Sequence, residues 1–82
     1  MSYFVYILEC SDGSLYTGIT TDLTKRLDEH NNKETGAKYT RVRRPVKLIY
    51  QESSENRSTA SKREYAIKKF TRIKKLELIQ KT

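Results

Sequence analysis

Residues 5–30 of the chain, VYILECSDGSLYTGITTDLTKRLDEH, decide the fold. The segment YFVYILEC at 3–10 is β-branched and aromatic and is too short for a typical helix, so it predicts a strand. The SDGS that follows is a turn signal in which Gly13 can adopt the positive φ of a tight hairpin. LYTGIT then predicts the returning strand. Because both faces of the first strand are largely apolar, we expect a central pair of strands that is covered on both sides.

An amphipathic helix is predicted directly after the hairpin. The TTD triplet at 20–22 supplies N-cap candidates for a helix over about 22–31. Two leucines one turn apart indicate its buried stripe. Arg26 and His30 are also one turn apart, so we expect them to flank that stripe on the same side.

The remainder of the chain predicts one more strand and two more helices. Residues 33–46 are expected to form a basic loop, and VKLIYQE at 46–52 predicts a third strand. Apolar residues at helical spacing predict a helix over about 57–70 and a final helix after a break near Thr71. With 82 residues, the chain is expected to be a single domain over 1–82.

The charge of the chain favours a polyanionic partner. Lysine and arginine outnumber aspartate and glutamate 17 to 10, which gives a net charge of +7. The cations gather in two blocks at 38–47 and 62–75, whereas residues 1–20 contain neither lysine nor arginine. This distribution favours nucleic acid as the partner over a charge that serves only solubility. The candidate nucleic-acid-binding residues are Lys38, Tyr39, Arg41, Arg43, Arg44, Lys62, Lys68, Lys69 and Arg72.

The cysteine content and the apolar runs indicate a compartment. Cys10 is the one cysteine, which excludes an internal disulfide framework and is typical of a reducing compartment. Its apolar surroundings favour a small buried hydrophobe over a nucleophile. No apolar run approaches the roughly 18 residues of a membrane span, and no signal-peptide pattern is present. We therefore expect a cytoplasmic protein without membrane association.

Glu64 lies between the apolar positions Ala60 and Ile67 on the inward stripe of the helix predicted at 57–70. A carboxylate at such a position is costly unless it is paired, hydrogen-bonded or bound to a metal. One glutamate at the rim of a basic site can hold Mg²⁺, which keeps several of its waters. An ion pair with Lys68 at i+4 accounts for the same pattern, and the spacing does not decide between the two.

Tyr6, Tyr16, Arg26 and His30 each have a structural and a chemical interpretation. An inward tyrosine in a hairpin is usually a core residue, and its phenol titrates near about pH 10, so it acts as a base only beside a cation or a second base. His30 has an ordinary pKa near neutrality, but a histidine at a helix end often complements the helix dipole. Arg26 can bind a phosphate or remain solvated. Individually, these residues do not establish an enzyme.

Together, the order and spacing of these residues resemble the GIY-YIG nuclease superfamily. VYI at 5–7 stands where the family has its first motif, and YTG at 16–18 stands where it has the second. Arg26 and His30 match the family's helix arginine and the tyrosine or histidine one turn later. Glu64 matches the metal-binding glutamate.

This resemblance implies a fold and an activity. It implies an α+β fold with a three-stranded antiparallel sheet flanked by helices in the order β-β-α-β-α-α. It also implies an endonuclease that hydrolyses DNA phosphodiester bonds with Mg²⁺, or another divalent cation such as Mn²⁺, in DNA repair or recombination. GAKYTR at 36–41 and the KKFTRIKKLELI ending are similar to the small stand-alone bacterial branch.

The family also implies a role for each matched residue. Tyr6 or His30 would help to deprotonate the attacking water, and Arg26 would stabilise charge on the phosphate. Tyr16 would line the phosphate pocket, and Glu64 would hold the metal. This division of work suits phosphoryl chemistry, in which positioning and charge stabilisation dominate.

Two other functions fit the same sequence. The main alternative is a nucleic-acid-binding module on this scaffold with little or no catalysis, since the chain has Ile19 where some members have a lysine and no asparagine after Asn56. The second alternative is a protein-interaction domain whose positive charge serves an acidic partner. Larger family nucleases attach targeting domains, so a protein partner for targeting is also expected.

Overall fold

The computed structural model describes residues 2–81. The elements, in chain order, are β1 (Tyr3–Glu9), β2 (Leu15–Thr20), α1 (Leu23–Asn32), α2 (Lys38–Arg41), β3 (Lys47–Ser54), α3 (Arg57–Lys68) and α4 (Arg72–Gln80). The α+β fold and the order of the three strands and three longer helices are confirmed. The basic loop predicted at 33–46 is wrong in one respect, because 38–41 form the one-turn helix α2.

The three strands form an antiparallel sheet in the order β2-β1-β3. In the hairpin, Tyr6 pairs with Gly18 and Leu8 pairs with Tyr16. Gly13 adopts the expected positive φ, at 83°. The prediction of a central pair of strands is correct for β1 only, since β2 lies at an edge of the sheet.

Both faces of β1 are covered, as its apolar residues predict. On one face, Val5 and Ile7 belong to a core cluster with residues of α3, including Ile67. On the other face, Tyr6 and Leu8 pack with leucines of α1. The sheet therefore separates α1 from α3.

Polar side chains begin each of the longer helices. Asp22 accepts a hydrogen bond from the amide of Lys25 at the start of α1. The side chains of Asn56 and Thr71 each accept a hydrogen bond from a backbone amide in the first turn of α3 and α4, respectively. Each cap satisfies an amide that has no partner inside its helix. The predicted break near Thr71 is confirmed.

The cysteine and the lengths of the helices can also be compared with the predictions. Cys10 is free and 4% exposed, in keeping with its interpretation as a small buried hydrophobe. Within residues 2–81, no helix is long and apolar enough to cross a membrane.

Candidate active site

The position of Tyr6 depends on the glycine opposite it. Gly18 is the partner of Tyr6 in β2, and both residues are buried. A Cβ atom built on Gly18 would lie 2.5 Å from the Tyr6 hydroxyl oxygen and 2.7 Å from Cζ. The phenol ring therefore occupies the space that a side chain at residue 18 would need. The glycine of the YTG motif allows Tyr6 to lie across β2.

The hydroxyl of Tyr6 contacts the chain's one histidine. Its Oη lies 2.8 Å from Nε2 of His30, which α1 supplies near its C-terminus. Both side chains are almost completely buried, with 2% of Tyr6 and none of His30 exposed. The second ring nitrogen, Nδ1, lies 2.8 Å from Oγ1 of Thr40, which is buried in α2. The sheet and two helices thus meet at one imidazole.

His30 is neutral at pH 7. Its pKa is lowered to about 4, mainly by burial and also by the positive charges of Arg26 and Arg44, against the opposing effect of Glu29. A neutral imidazole cannot complement the α1 dipole with a charge, so the helix-cap interpretation of His30 does not fit its surroundings. Its ring is available instead as a hydrogen-bond acceptor and donor.

Tyr6 is protonated at pH 7. Burial raises its pKa to about 12, and Arg26 offsets only part of this through hydrogen bonding and charge. The negative charge of Glu64 also raises the pKa of Tyr6, as the smallest of these effects. Because the cation does not outweigh burial, a free phenolate is not the resting state of this site.

Arg26 is held in place by its own helix and the loop after it. Its Nη1 donates to Glu29 Oε1 at 3.2 Å and to the Thr35 carbonyl at 3.1 Å. About a quarter of the side chain is exposed, at 26%. A fixed guanidinium that is partly open to solvent beside a hydroxyl can bind a phosphate oxygen.

Aromatic rings extend the site from His30 toward the surface. Tyr16 meets the imidazole edge-on, with 5.2 Å between ring centroids, and stacks on Tyr39 with 5.9 Å between centroids. The guanidinium of Arg43 lies 3.9 Å above the Tyr39 ring and pairs with Asp12 of the hairpin turn at 3.1 Å. Two of the predicted nucleic-acid-binding residues therefore border the predicted catalytic ones.

Glu64 makes the ion pair that its spacing allows, and its role as a metal ligand stays a prediction. Its Oε2 lies 3.4 Å from Nζ of Lys68, so the ion pair at i+4 is present. The carboxylate is nevertheless 22% exposed, so solvent reaches it. The structure thus brings together four of the five predicted catalytic residues, which are Tyr6, Tyr16, Arg26 and His30. Among the described residues, no hydrogen bond or ion pair joins Glu64 to these four, and its charge acts on the pKa of Tyr6.

A divalent cation fits this region only in one manner. Among residues 2–81, no group of three or more histidine, cysteine, aspartate or glutamate side chains could enclose a metal ion. Mg²⁺ binds through one or two carboxylates, keeps several waters and takes substrate phosphate oxygens as further ligands. The single carboxylate of Glu64 fits that mode of binding and does not fit a closed protein cage.

The other basic residues have different surroundings. Lys38, Arg41, Lys62, Lys68, Lys69 and Arg72 are exposed, and Arg44 is half-buried. Arg44 donates through Nε to the His30 carbonyl at 2.6 Å and through Nη2 to the carbonyls of Glu29 and Lys33. Arg44 therefore caps the C-terminus of α1, a structural role that competes with binding a phosphate.

Sequence reasoning missed Thr40. A polar residue in a basic loop has no periodic pattern that marks it as buried. The available signal is Gly36, where a Cβ atom would lie 2.6 Å from the Glu29 carbonyl oxygen. This glycine lets the loop pass close to α1 and so brings Thr40 to His30.

The fold and these residues define a GIY-YIG domain. The GIY-YIG catalytic domain family matches residues 2–77, and the chain belongs to that family. A UPF0213 protein of Staphylococcus aureus is 61% identical over 79 residues, which cover 96% of this chain and 95% of that protein. The UPF0213 protein DP2720 of Desulfotalea psychrophila is 54% identical over 79 residues, covering 96% of this chain and 72% of that protein.

Solved structures agree with the fold. The solution NMR structure of protein EF2693 from E. faecalis is 49% identical with a TM-score of 0.68, covering 99% of this chain and 85% of that chain. The solution NMR structure of the UPF0213 protein BH0048 from Bacillus halodurans is 44% identical with a TM-score of 0.62. The match covers 98% of this chain and 84% of that chain. The chain is thus similar to small proteins of the family whose names state no activity.

Substitution of Gly18 tests the packing of Tyr6. We expect Gly18→Ala to lower the free energy of unfolding by about 1–3 kcal/mol, because the new methyl group would overlap the phenol ring. Urea denaturation measures the effect. In a Tyr6→Leu background the ring is absent, so the same change should cost much less. An equal cost in both backgrounds would show that Tyr6 does not occupy this space.

The buried imidazole predicts a pH dependence of stability. His30 titrates near 6.5 in the unfolded chain and at about 4 in the folded protein. Between those values the unfolded state binds more protons, so the free energy of unfolding falls as the pH is lowered through this range. Near pH 4 the free energy of unfolding should be about 3 kcal/mol lower than at pH 7.

The control is His30→Gln, which removes the one histidine. Its free energy of unfolding should be nearly flat between about pH 5 and 6.5, since the lowered pKa values of Asp12 and Glu29 affect stability only near and below their ordinary values of 3.8 and 4.5. Urea denaturation across this range distinguishes the two proteins. Parallel pH profiles would mean that His30 is not buried in its neutral form.

Proposed function

We propose that this protein is an endonuclease that hydrolyses DNA phosphodiester bonds with Mg²⁺ or another divalent cation such as Mn²⁺. The observation that carries the proposal is the contact of the Tyr6 hydroxyl with His30, beside Arg26 and within the electrostatic reach of Glu64. An acceptor for a proton, a cation for a phosphate and a carboxylate for a metal are the groups that phosphodiester hydrolysis needs. A role in DNA repair or recombination belongs to the same proposal.

Solvent reaches both Arg26 and Glu64, with 26% and 22% of their side chains exposed. We assign to the Arg26 guanidinium the negative charge that grows on the phosphate during attack. Glu64 would hold the divalent cation, which supplies Lewis-acid stabilisation of the phosphate oxygens when it is bound. Tyr16 would border the phosphate through its position beside His30.

Tyr6 and His30 would move the proton of the attacking water. As the water oxygen bonds to phosphorus, the bond from phosphorus to the leaving oxygen breaks, and that oxygen takes a proton from solvent. The proton of the attacking water passes to the Tyr6 oxygen, and the Tyr6 proton passes to Nε2 of His30 along the 2.8 Å hydrogen bond. Tyr6 ends the step neutral, and His30 ends it as an imidazolium. This relay avoids a free phenolate, which the raised pKa of Tyr6 makes costly. The lowered pKa of His30 makes its imidazolium costly as well, so the ring releases the proton again after the step.

The exposed cations support binding of a polyanion. Each lysine or arginine that neutralises a phosphate releases counterions, so binding should weaken steeply with salt. Tyr39, at 39% exposed, lies at the rim of the site between Tyr16 and Arg43. We propose that this rim and the exposed lysines and arginines guide the DNA backbone toward Arg26.

A non-catalytic nucleic-acid-binding module remains the second candidate. The observation that favours it is the burial of the central pair, with Tyr6 only 2% exposed and His30 fully buried. A hydrogen-bonded pair of this kind also satisfies two polar groups in a core without performing any chemistry. Such a module would keep the cationic surface and lose the reaction.

Substitution of Glu64 separates the two functions. We expect Glu64→Gln to reduce Mg²⁺-dependent cleavage of a flapped or branched DNA by about 100-fold or more, because the metal loses its one carboxylate. Binding of the same DNA should change little, since the cationic surface is intact. Single-turnover cleavage and a binding titration at fixed salt measure the two effects.

The matched control is Glu77→Gln, which removes an exposed carboxylate of α4. It should leave cleavage unchanged. Cleavage that survives Glu64→Gln and Tyr6→Phe together would contradict the assigned site. Salt-sensitive binding by the wild-type protein with no cleavage under Mg²⁺ or Mn²⁺ would support the binding module instead.

A further inference from the structure

On the side of its ring that faces away from Tyr6, His30 is hydrogen-bonded to a threonine hydroxyl. Thr40 Oγ1 lies 2.8 Å from Nδ1 of His30 and 3.0 Å from the carbonyl oxygen of Ala37. Thr40 is completely buried, so no solvent replaces either contact. A hydroxyl has one proton to donate, and the carbonyl can only accept.

These contacts favour one direction for each hydrogen bond. Thr40 donates its proton to the Ala37 carbonyl, so its oxygen accepts from Nδ1 of His30. Nδ1 therefore carries the imidazole proton, and Nε2 has the free lone pair in the neutral ring. The Tyr6 hydroxyl donates to that lone pair. In this arrangement the Tyr6 hydroxyl, both ring nitrogens of His30 and the Thr40 hydroxyl all have a partner.

The opposite arrangement leaves a buried proton without an acceptor. If Thr40 donated to Nδ1, then Nε2–H would donate to the Tyr6 oxygen. His30 is the one hydrogen-bond partner of that oxygen among the described residues, and the nearby Arg26 guanidinium cannot accept. The Tyr6 proton would then have no acceptor among these neighbours, which is costly for a buried hydroxyl. The first arrangement is favoured.

We infer that Thr40 is a positioning residue, which holds His30 in the tautomer that carries its proton on Nδ1 and keeps Nε2 free for the proton of Tyr6. The tautomer is a property of the folded protein by itself. Its consequence for hydrolysis rests on the proposed function, because a proton already on Nε2 would block the relay from water through Tyr6.

The fold delivers Thr40 through the short helix α2. Ala37 is the N-cap residue of α2, and its carbonyl accepts from the Arg41 amide as well as from Thr40. The Thr40 carbonyl in turn accepts from the Arg43 amide at 3.0 Å. One turn of helix thus orients the threonine hydroxyl and its acceptor together, in a segment that makes no large contribution to the core.

A pair of substitutions tests this role. Thr40→Ser keeps the hydroxyl, whereas Thr40→Val keeps the shape and removes it. The readout is ¹⁵N NMR of the imidazole nitrogens, which is unambiguous because the chain has one histidine. Wild-type protein and Thr40→Ser should carry the proton on Nδ1 at pH 7. Thr40→Val should shift the tautomer toward Nε2–H.

Cleavage of flapped DNA with Mg²⁺ gives the second readout. We expect Thr40→Val to lower kcat by about 10- to 100-fold with KM little changed, and Thr40→Ser to restore the rate to within a few-fold of wild type. A merely structural role would not separate these two variants by tautomer. The wild-type spectrum needs no variant, so poor folding of Thr40→Val leaves the inference testable.

The outcomes separate this inference from the proposed function. A wild-type proton on Nε2 would overturn the inference whether or not the protein cleaves DNA. An unchanged tautomer and an unchanged kcat in Thr40→Val would also overturn it. A proton on Nδ1 that shifts in Thr40→Val, in a protein that cleaves no DNA, would support the positioning role and reject the nuclease function.

Discussion

The hydrogen bond between Tyr6 and His30 is the interaction on which the rest of the site depends. It joins the central strand to α1 at a point where both side chains are buried. Each group would be costly there without a partner, since an unsatisfied buried donor or acceptor costs about 1–3 kcal/mol. Gly18 makes the bond possible by leaving room for the phenol ring. A small domain with a thin core thus uses part of its interior for two polar side chains.

The same burial gives the pair its chemical character. The pKa of Tyr6 is raised to about 12 and that of His30 is lowered to about 4, so both are neutral at pH 7 and share one hydrogen bond. Arg26 and Glu64 supply the charges, at the more exposed side of the pair. This separation of a neutral buried pair from charged rim residues agrees with a reaction in which positioning and electrostatic stabilisation dominate.

Much of the fold follows from local sequence patterns, and less of the site does. The hairpin is marked by β-branched runs around SDGS, and the longer helices are marked by periodic apolar residues and capping residues. Glu64 shows the limit of spacing, because its ion pair with Lys68 is present and its charge also raises the pKa of Tyr6. Thr40 and the capping role of Arg44 depend on how a loop packs against α1, which no periodicity encodes. The five candidate residues are predicted together because of the family resemblance. That Tyr6 and His30 are neutral follows from their burial, which only the structure shows.

NMR observation of the Tyr6 hydroxyl proton at pH 7 tests most directly whether Tyr6 donates a hydrogen bond to His30. Donation to a buried imidazole predicts a slowly exchanging hydroxyl resonance that correlates with Nε2 of His30 and disappears in Tyr6→Phe. A Tyr6 hydroxyl that exchanges with water as fast as an exposed tyrosine, with no correlation to His30, would contradict it.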